Sequence, residues 1–396
     1  MELTNGSGHS KESHFGPVVL AMLGILAFST FSGFIGTVYA SSFSVSGILG
    51  SGLCVLNGGS WSTSTTTCTS ANVWNVAKST ALIIPKNVTL SNSGTINLYG
   101  RLAIRNGTLS NVFGGTVSSN GTLNNNGGTF VNGGTVTNLK HGRIDLMRHA
   151  KLVNQVGGVI GNHAKLSSNN RASITNLGTI TNFASGHIDN DNHGKLVNSG
   201  TITNAHRGKI TADNHVKVTN LASGTITNNG TVALHNHGTV VNNGTLTNQK
   251  FGIVRVENHG TVTNFGTLTN FGILIDNNHG NFRNYGTFTS NNGGVLKVEG
   301  HANLVNFASG TFSNNGSVTI RNHANLVNSG ITNNFKAGVI LNGPRAVITN
   351  NAPGTINNFG LIKNKGTIDN FGAIHNTVNG GTISPAGTIN NSGTID

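Results

Sequence analysis

Residues 193–220 read HGKLVNSGTITNAHRGKITADNHVKVTN, and the five residues Gly200-Thr201-Ile202-Thr203-Asn204 at their centre decide the fold. One apolar residue stands between two threonines. That is the period-two alternation of a strand with one face buried. Gly and Asn at the ends supply the turn chemistry, because both tolerate left-handed backbone conformations. The same unit returns as Gly244-Thr245-Leu246-Thr247-Asn248 and as Gly266-Thr267-Leu268-Thr269-Asn270.

The units around it are mostly six, eight or ten residues long, all even. An even step preserves side-chain parity, whereas an odd step turns every later residue to the other face. From Phe130, Val136 and Ile144 through Ile202, Ile210 and Val218 to Val318 and Leu326, the central apolar residues are all even-numbered. A longer period lies above this one. His149, Arg171, His193, His215, His237 and His259 are each 22 residues apart; His279 follows after 20, and His301, His323 and Arg345 resume the 22-residue step. The expected fold is all-β, a single-stranded parallel β-helix (β-solenoid) with about 22 residues and three short strands per coil. Coils stacked as parallel strands at ~4.8 Å would make residues 87–396 a rod of roughly 14 coils, ~65 Å long. A single coil cannot bury its apolar side, so each depends on its neighbours.

Asparagine recurs with the coil. Asn198, Asn220, Asn242, Asn264, Asn284, Asn306, Asn328 and Asn350 form one file, and Asn192, Asn214, Asn236, Asn258, Asn278 and Asn322 a second. Both are expected to stack as amide ladders from coil to coil. The composition agrees: 56 Gly, 5 Pro and only 9% charged residues, with β-branched residues prominent.

The GTITN-type repeats over residues 82–396 resemble those of β-solenoid cell-surface proteins of archaea and bacteria, including adhesin-like passengers. The lead-in, CVLNGGSWSTSTTTC followed by LIIPKNVTLSNSGTI, resembles the segment that often caps such solenoids. The resemblance implies a surface structural or adhesive role. Three regions follow: a signal peptide or N-terminal membrane anchor at 1–40, a cap segment at 41–81, and the repeat domain at 82–396. Val18–Ile35 is uncharged and precedes the small-x-small pattern Val38-Tyr39-Ala40. Both a cleaved signal and a retained anchor fit, and both place residue 41 onward outside the cytoplasm, secreted or at the cell surface. Cys54 and Cys68, the only cysteines, are expected to form a disulfide there. Sequons at Asn87, Asn106, Asn120, Asn229, Asn243, Asn315 and Asn390 follow largely from the repeat.

The net charge of +13 points to an anionic neighbour, such as envelope polysaccharide or another anionic surface polymer. Lys and Arg occur singly rather than in runs interleaved with aromatics, so nucleic acid is not an expected partner. A retained segment 17–40 would add the membrane. The final GTINNSGTID ends in mid-pattern, and its open strand edges would allow end-to-end association. The histidines His193, His215, His237, His259, His279, His301 and His323 would stand in adjacent coils, and imidazole suits divalent transition metals. A metal-binding surface protein is therefore the alternative reading, although Arg171 and Arg345 share the column. The threonines Thr201, Thr203, Thr225, Thr227, Thr245, Thr247, Thr267 and Thr269 would form a T-x-T array resembling the ice-binding face of some antifreeze solenoids. Lyase-like catalysis on polysaccharide is a further alternative. The acids of residues 41–396 are few, and Asp189 with Asp191, beside His187 and His193, is the only close pair. With no HExxH, GxSxG or phosphate loop, no catalytic residue or cofactor is assigned and the chain is expected not to be an enzyme.

Overall fold

The computed structural model describes residues 41–377 and 381–396; the predicted signal or anchor lies outside them. The described residues form one compact unit, a parallel β-solenoid of about 15 coils with three sheets. In the coil that starts at His193, Lys195–Asn198 belongs to sheet 1, Thr201–Asn204 to sheet 2 and Lys209–Ala212 to sheet 3. The next coil repeats the order, and equivalent residues pair in parallel: Leu196 with Val218, Ile202 with Ile226, Ile210 with Val232.

The predicted parity is visible in the burial. Strands read half-exposed, buried, half-exposed, buried, so two residues of each four-residue strand face inward. The second position carries Ile, Val, Leu or Phe in most strands, with exceptions such as Cys68, Trp74 and Thr332, and anchors one continuous core from Val45 to Ile374. Phe282, Phe288 and Phe312 fill part of it in contact, at ring-centroid distances of 4.9 Å. Among the smaller side chains of Val218, Val240 and Val254 an apolar cavity of about 30 Å³ remains. Two odd steps escaped the parity rule. The core residue shifts from Ile104 to Leu109 and returns between Leu123 and Phe130, and each step passes a left-handed residue, Asn106 or Gly127.

In most strands of sheets 1 and 2 the fourth position is asparagine, buried and inward at the strand end, whereas sheet 3 carries residues such as Ala212, Leu234, Val256 and Val298 there. In sheet 1 the Asn198 Nδ2 donates to Asn220 Oδ1 at 2.8 Å, Asn220 to Asn242 at 2.8 Å, and so on to Asn350. Asn220 Nδ2 also reaches the carbonyls of Gly224 and Thr245. Sheet 2 has a ladder the sequence reading missed, running Asn182–Asn204–Asn228–Asn248–Asn270 at 2.7–2.8 Å. Glycine follows these corners because the coils close tightly there. A Cβ on Gly200 would run into the carbonyl oxygen of Gly178.

The segment around the cysteines is continuous with the solenoid. Ser42–Ser44 pairs with Val73–Val76, and Gly47–Ile48 with the strand Ala81–Ile84. A short helix, Ser51–Leu56, covers this end, tied down by the Cys54–Cys68 disulfide and by the Trp74 Nε1–H bond to the Asn57 carbonyl. Among the described residues no helix is long and apolar enough to cross a membrane.

Replacing Asn220 by Ala removes two rungs, those to Asn198 and to Asn242, together with the bonds of its amide to the Gly224 and Thr245 carbonyls. The expected loss is about 1–3 kcal/mol. Hydrogen exchange should rise in the coils on both sides of the substitution and stay unchanged several coils away.

Candidate functional site

The histidine column lies on the edge between sheet 3 and sheet 1. From Arg148-His149 to Asn322-His323 each coil turns this corner through two successive left-handed residues. Among them are Asn192 and His193 (φ 46° and 61°), Asn214 and His215 (52° and 64°), and Asn236 and His237 (47° and 65°). Asn and His are among the residues that enter this region most readily, and Gly300 replaces Asn before His301. The backbone links coils here too: His215 N–H donates to the Asn236 carbonyl at 3.1 Å. The second asparagine file is therefore a conformational file. Its amides form no continuous ladder, and Asn236 to Asn214 at 3.4 Å is a weak contact. The expectation of stacking holds for the first file only, because the left-handed corner turns these amides to solvent.

The imidazoles from His193 to His323 stack face to face, with centroids 4.9–5.2 Å apart and planes within 11° of parallel. Ring lone pairs lie in the ring planes, so parallel rings direct theirs side by side rather than at one centre. A shared ion would require the rings to rotate out of the stack. Among the described residues, no group of three or more His, Cys, Asp or Glu converges on a metal position.

At its N-terminal end the same edge becomes cationic. Arg148, His149, Asn170, Arg171, Asn192 and His193 line an open surface groove. Two residues further on, the first outward file of sheet 1 runs Lys151, Ser173, Lys195, Lys217 in register. Beyond Lys217 that file becomes Thr239 and Thr261. The sequence shows these cations as scattered single residues; the coil period gathers them into one ridge.

The close acidic pair does not form a site. Asp189 points outward from sheet 3 and is held by Lys165 and by Thr211, each at 2.7 Å. Burial alone would raise its carboxyl, but Lys165 and Thr211 outweigh that and hold it below the usual carboxylate range. Burial also lowers the neighbouring His187, which Asp189 offsets in part. Asp191 accepts from Asn192 N–H and Asn214 Nδ2 in the corner. Asp145, Glu257 and Glu299 pair with Arg143, Arg255 and Arg321. Asp276 is different. It occupies an inward position of sheet 3 between Val256 and Val298. Neither of its oxygens has a hydrogen-bond partner of good geometry. Burial pushes its carboxyl well above the usual range, offset only in part by the Phe282 N–H.

The threonines form two files on sheet 2. Thr179, Thr201, Thr225, Thr245, Thr267, Thr287 and Thr311 pair in sequence, and Thr181, Thr203, Thr227, Thr247, Thr269, Thr289 and Ser313 run beside them. Aromatics stack along one margin of this sheet, with Phe265–Tyr285 and Tyr285–Phe307 centroids at 4.9 and 4.0 Å.

No known protein family matches the sequence, and no curated protein does so. Among solved structures the chain is similar to the TibC-catalyzed hyper-glycosylated TibA fragment. That match covers 82% of this chain and 97% of the other at 15% identity, with a TM-score of 0.26. A score that low carries no argument about function.

Two substitutions separate conformation from chemistry. His237→Asn and His237→Gly should leave stability nearly unchanged in thermal unfolding, whereas β-branched His237→Val should cost about 1–2 kcal/mol for the left-handed backbone. For Asp276, the folded carboxyl lies above its unfolded value. The stability tied to its protonated form is therefore fullest below the unfolded value and falls as pH rises through the folded one. Asp276→Asn should raise the unfolding midpoint more at about pH 8 than at about pH 4.

Proposed function

We propose that residues 41–396 act outside the cytoplasm as a non-catalytic solenoid, a structural or adhesive component of the cell surface that holds an anionic envelope polymer along its cationic edge. One observation carries this reading: the register places Arg148, Lys151, Arg171, Lys195 and Lys217 on a single edge in successive coils. A linear polyanion running along the solenoid axis would meet positive charge coil after coil. The histidines of the same edge add polar contacts. Asp191 and Asp213 at its foot limit the local charge, which suits an extended ligand better than a single tightly held ion.

The uncharged apolar stretch at Val18–Ile35 and the Cys54–Cys68 disulfide support an exported chain, since disulfides persist in oxidising compartments. The engagement of Asp145, Asp189, Glu257 and Glu299 with cations supports a non-catalytic role, because polysaccharide cleavage needs acids or a base free to act on substrate.

The full chain should bind an acidic polysaccharide such as polygalacturonate, and binding should weaken as salt is raised from about 50 to 300 mM. The triple change Arg148→Gln, Arg171→Gln, Lys195→Gln should reduce affinity about tenfold or more, while Lys363→Gln at the far end should have little effect. Salt-independent binding, or equal binding by the triple variant, would count against the cationic edge as the contact.

A further inference from the structure

Sheet 2 carries no formal charge. Among the described residues, none of its strands contains Lys, Arg, Asp or Glu, from Ser42–Ser44 through Thr95–Leu98 and Thr355–Asn358 to Thr394–Ile395. The corner leading into it from sheet 1 is equally free of charge, as in Ser199-Gly200, Leu221–Gly224, Phe265-Gly266 and Phe307–Gly310. Cations touch only the opposite corner, at Lys78, Lys140, Arg207, Lys250 and Lys336. The chain as a whole is strongly basic, and sheets 1 and 3 carry charged outward residues such as Lys195, Lys217, Arg283, Lys209, Arg255 and Lys297. One face has been kept neutral on a molecule whose other faces are not.

On that face the two threonine files form a two-dimensional lattice. Its repeat is ~4.8 Å from coil to coil and ~6.7 Å between the two threonines of a strand. The array runs unbroken from Thr179/Thr181 to Thr311/Ser313. Each threonine offers a hydroxyl beside a methyl on a β-branched side chain with few rotamers. The backbone register orders these groups before any ligand arrives, so little conformational entropy remains to be lost on contact. We infer that sheet 2 is a binding face for ice, the lattice of water itself.

The argument is one of complementarity. Ice contains no ions and excludes them, and a charged side chain keeps a strongly oriented hydration shell that fits no ice plane. A neutral surface avoids that mismatch. Hydroxyls spaced on the order of the water repeats in an ice face can join its hydrogen-bond network, while methyls between them hold the intervening waters in cages. Polyanion binding is excluded from this face by its lack of cations, so the inference is independent of the cationic edge between sheets 3 and 1.

The test is incorporation of the full chain into ice grown slowly on a cold finger, with crystal shape followed by microscopy. The expected result is enrichment in the ice fraction and faceted crystals. Thr227→Lys with Thr247→Lys, at the centre of the array, should lower the incorporated fraction about tenfold. Thr263→Lys on sheet 1 should not, and circular dichroism checks that all variants keep the β fold. Thr227→Val with Thr247→Val, which keeps the shape, should retain partial incorporation. Exclusion of the parent chain from ice to the level of an inert protein overturns the proposal, as does equal incorporation of the double lysine variant. Exclusion from ice together with Thr227- and Thr247-dependent binding to insoluble chitin or cellulose also overturns it and assigns the face to a neutral polysaccharide.

Discussion

The structure depends on the buried amide ladder. An inward asparagine at a strand end has hydrogen-bonding groups that neither the apolar core nor solvent can satisfy. The partner in reach is the equivalent asparagine one coil away, and Asn198–Asn220–Asn242 shows the consequence at 2.8 Å per rung. A coil displaced by one residue would lose the rung and expose its core side chain at the same time. Register is therefore enforced twice, by polar satisfaction and by apolar burial. Coils of 20, 22 or 24 residues are tolerated because the extra residues leave through the corners, as between Asn182–Asn204 and Asn204–Asn228.

Once register is enforced, every outward position becomes a file along the axis. A change in one coil alters one point in a file; a bias repeated over many coils alters a whole face. This is how a chain with few charges can have a cationic edge at Arg148–Lys217 and a neutral face at Thr179–Ser313. The two surfaces lie on different sides of the coil, so each is free to meet its own ligand. Asp276 marks the limit of such tolerance. It sits inward in a sheet whose neighbouring positions are Val256 and Val298, where no ladder exists to receive it.

The fold was readable because the alternation of one apolar residue between two threonines, the even units and the 22-residue spacing of His193, His215 and His237 are local or periodic signals. The first asparagine file was readable for the same reason. The sheet 2 ladder was not, because Asn204, Asn228 and Asn248 sit at corners of unequal length and lose a constant spacing. The second file was misread because a buried amide and a left-handed corner both select asparagine, and composition does not distinguish them.

By itself the sequence determined the solenoid, its period, the strand positions and which residues face inward, since each follows from side-chain alternation along one strand. Only the tertiary structure decided how the files of the three strands are arranged around the coil. Lys151, Lys195 and Lys217 lie 44 and 22 residues apart, with Ser173 interrupting their file, and they join Arg148 and Arg171 in one ridge when the corners close. The neutrality of sheet 2 likewise exists only when its strands are brought together out of a chain that alternates three sheets. The orientation of the imidazoles, parallel rather than convergent, was also decided there, because the left-handed φ at each corner sets the direction in which every ring leaves the backbone.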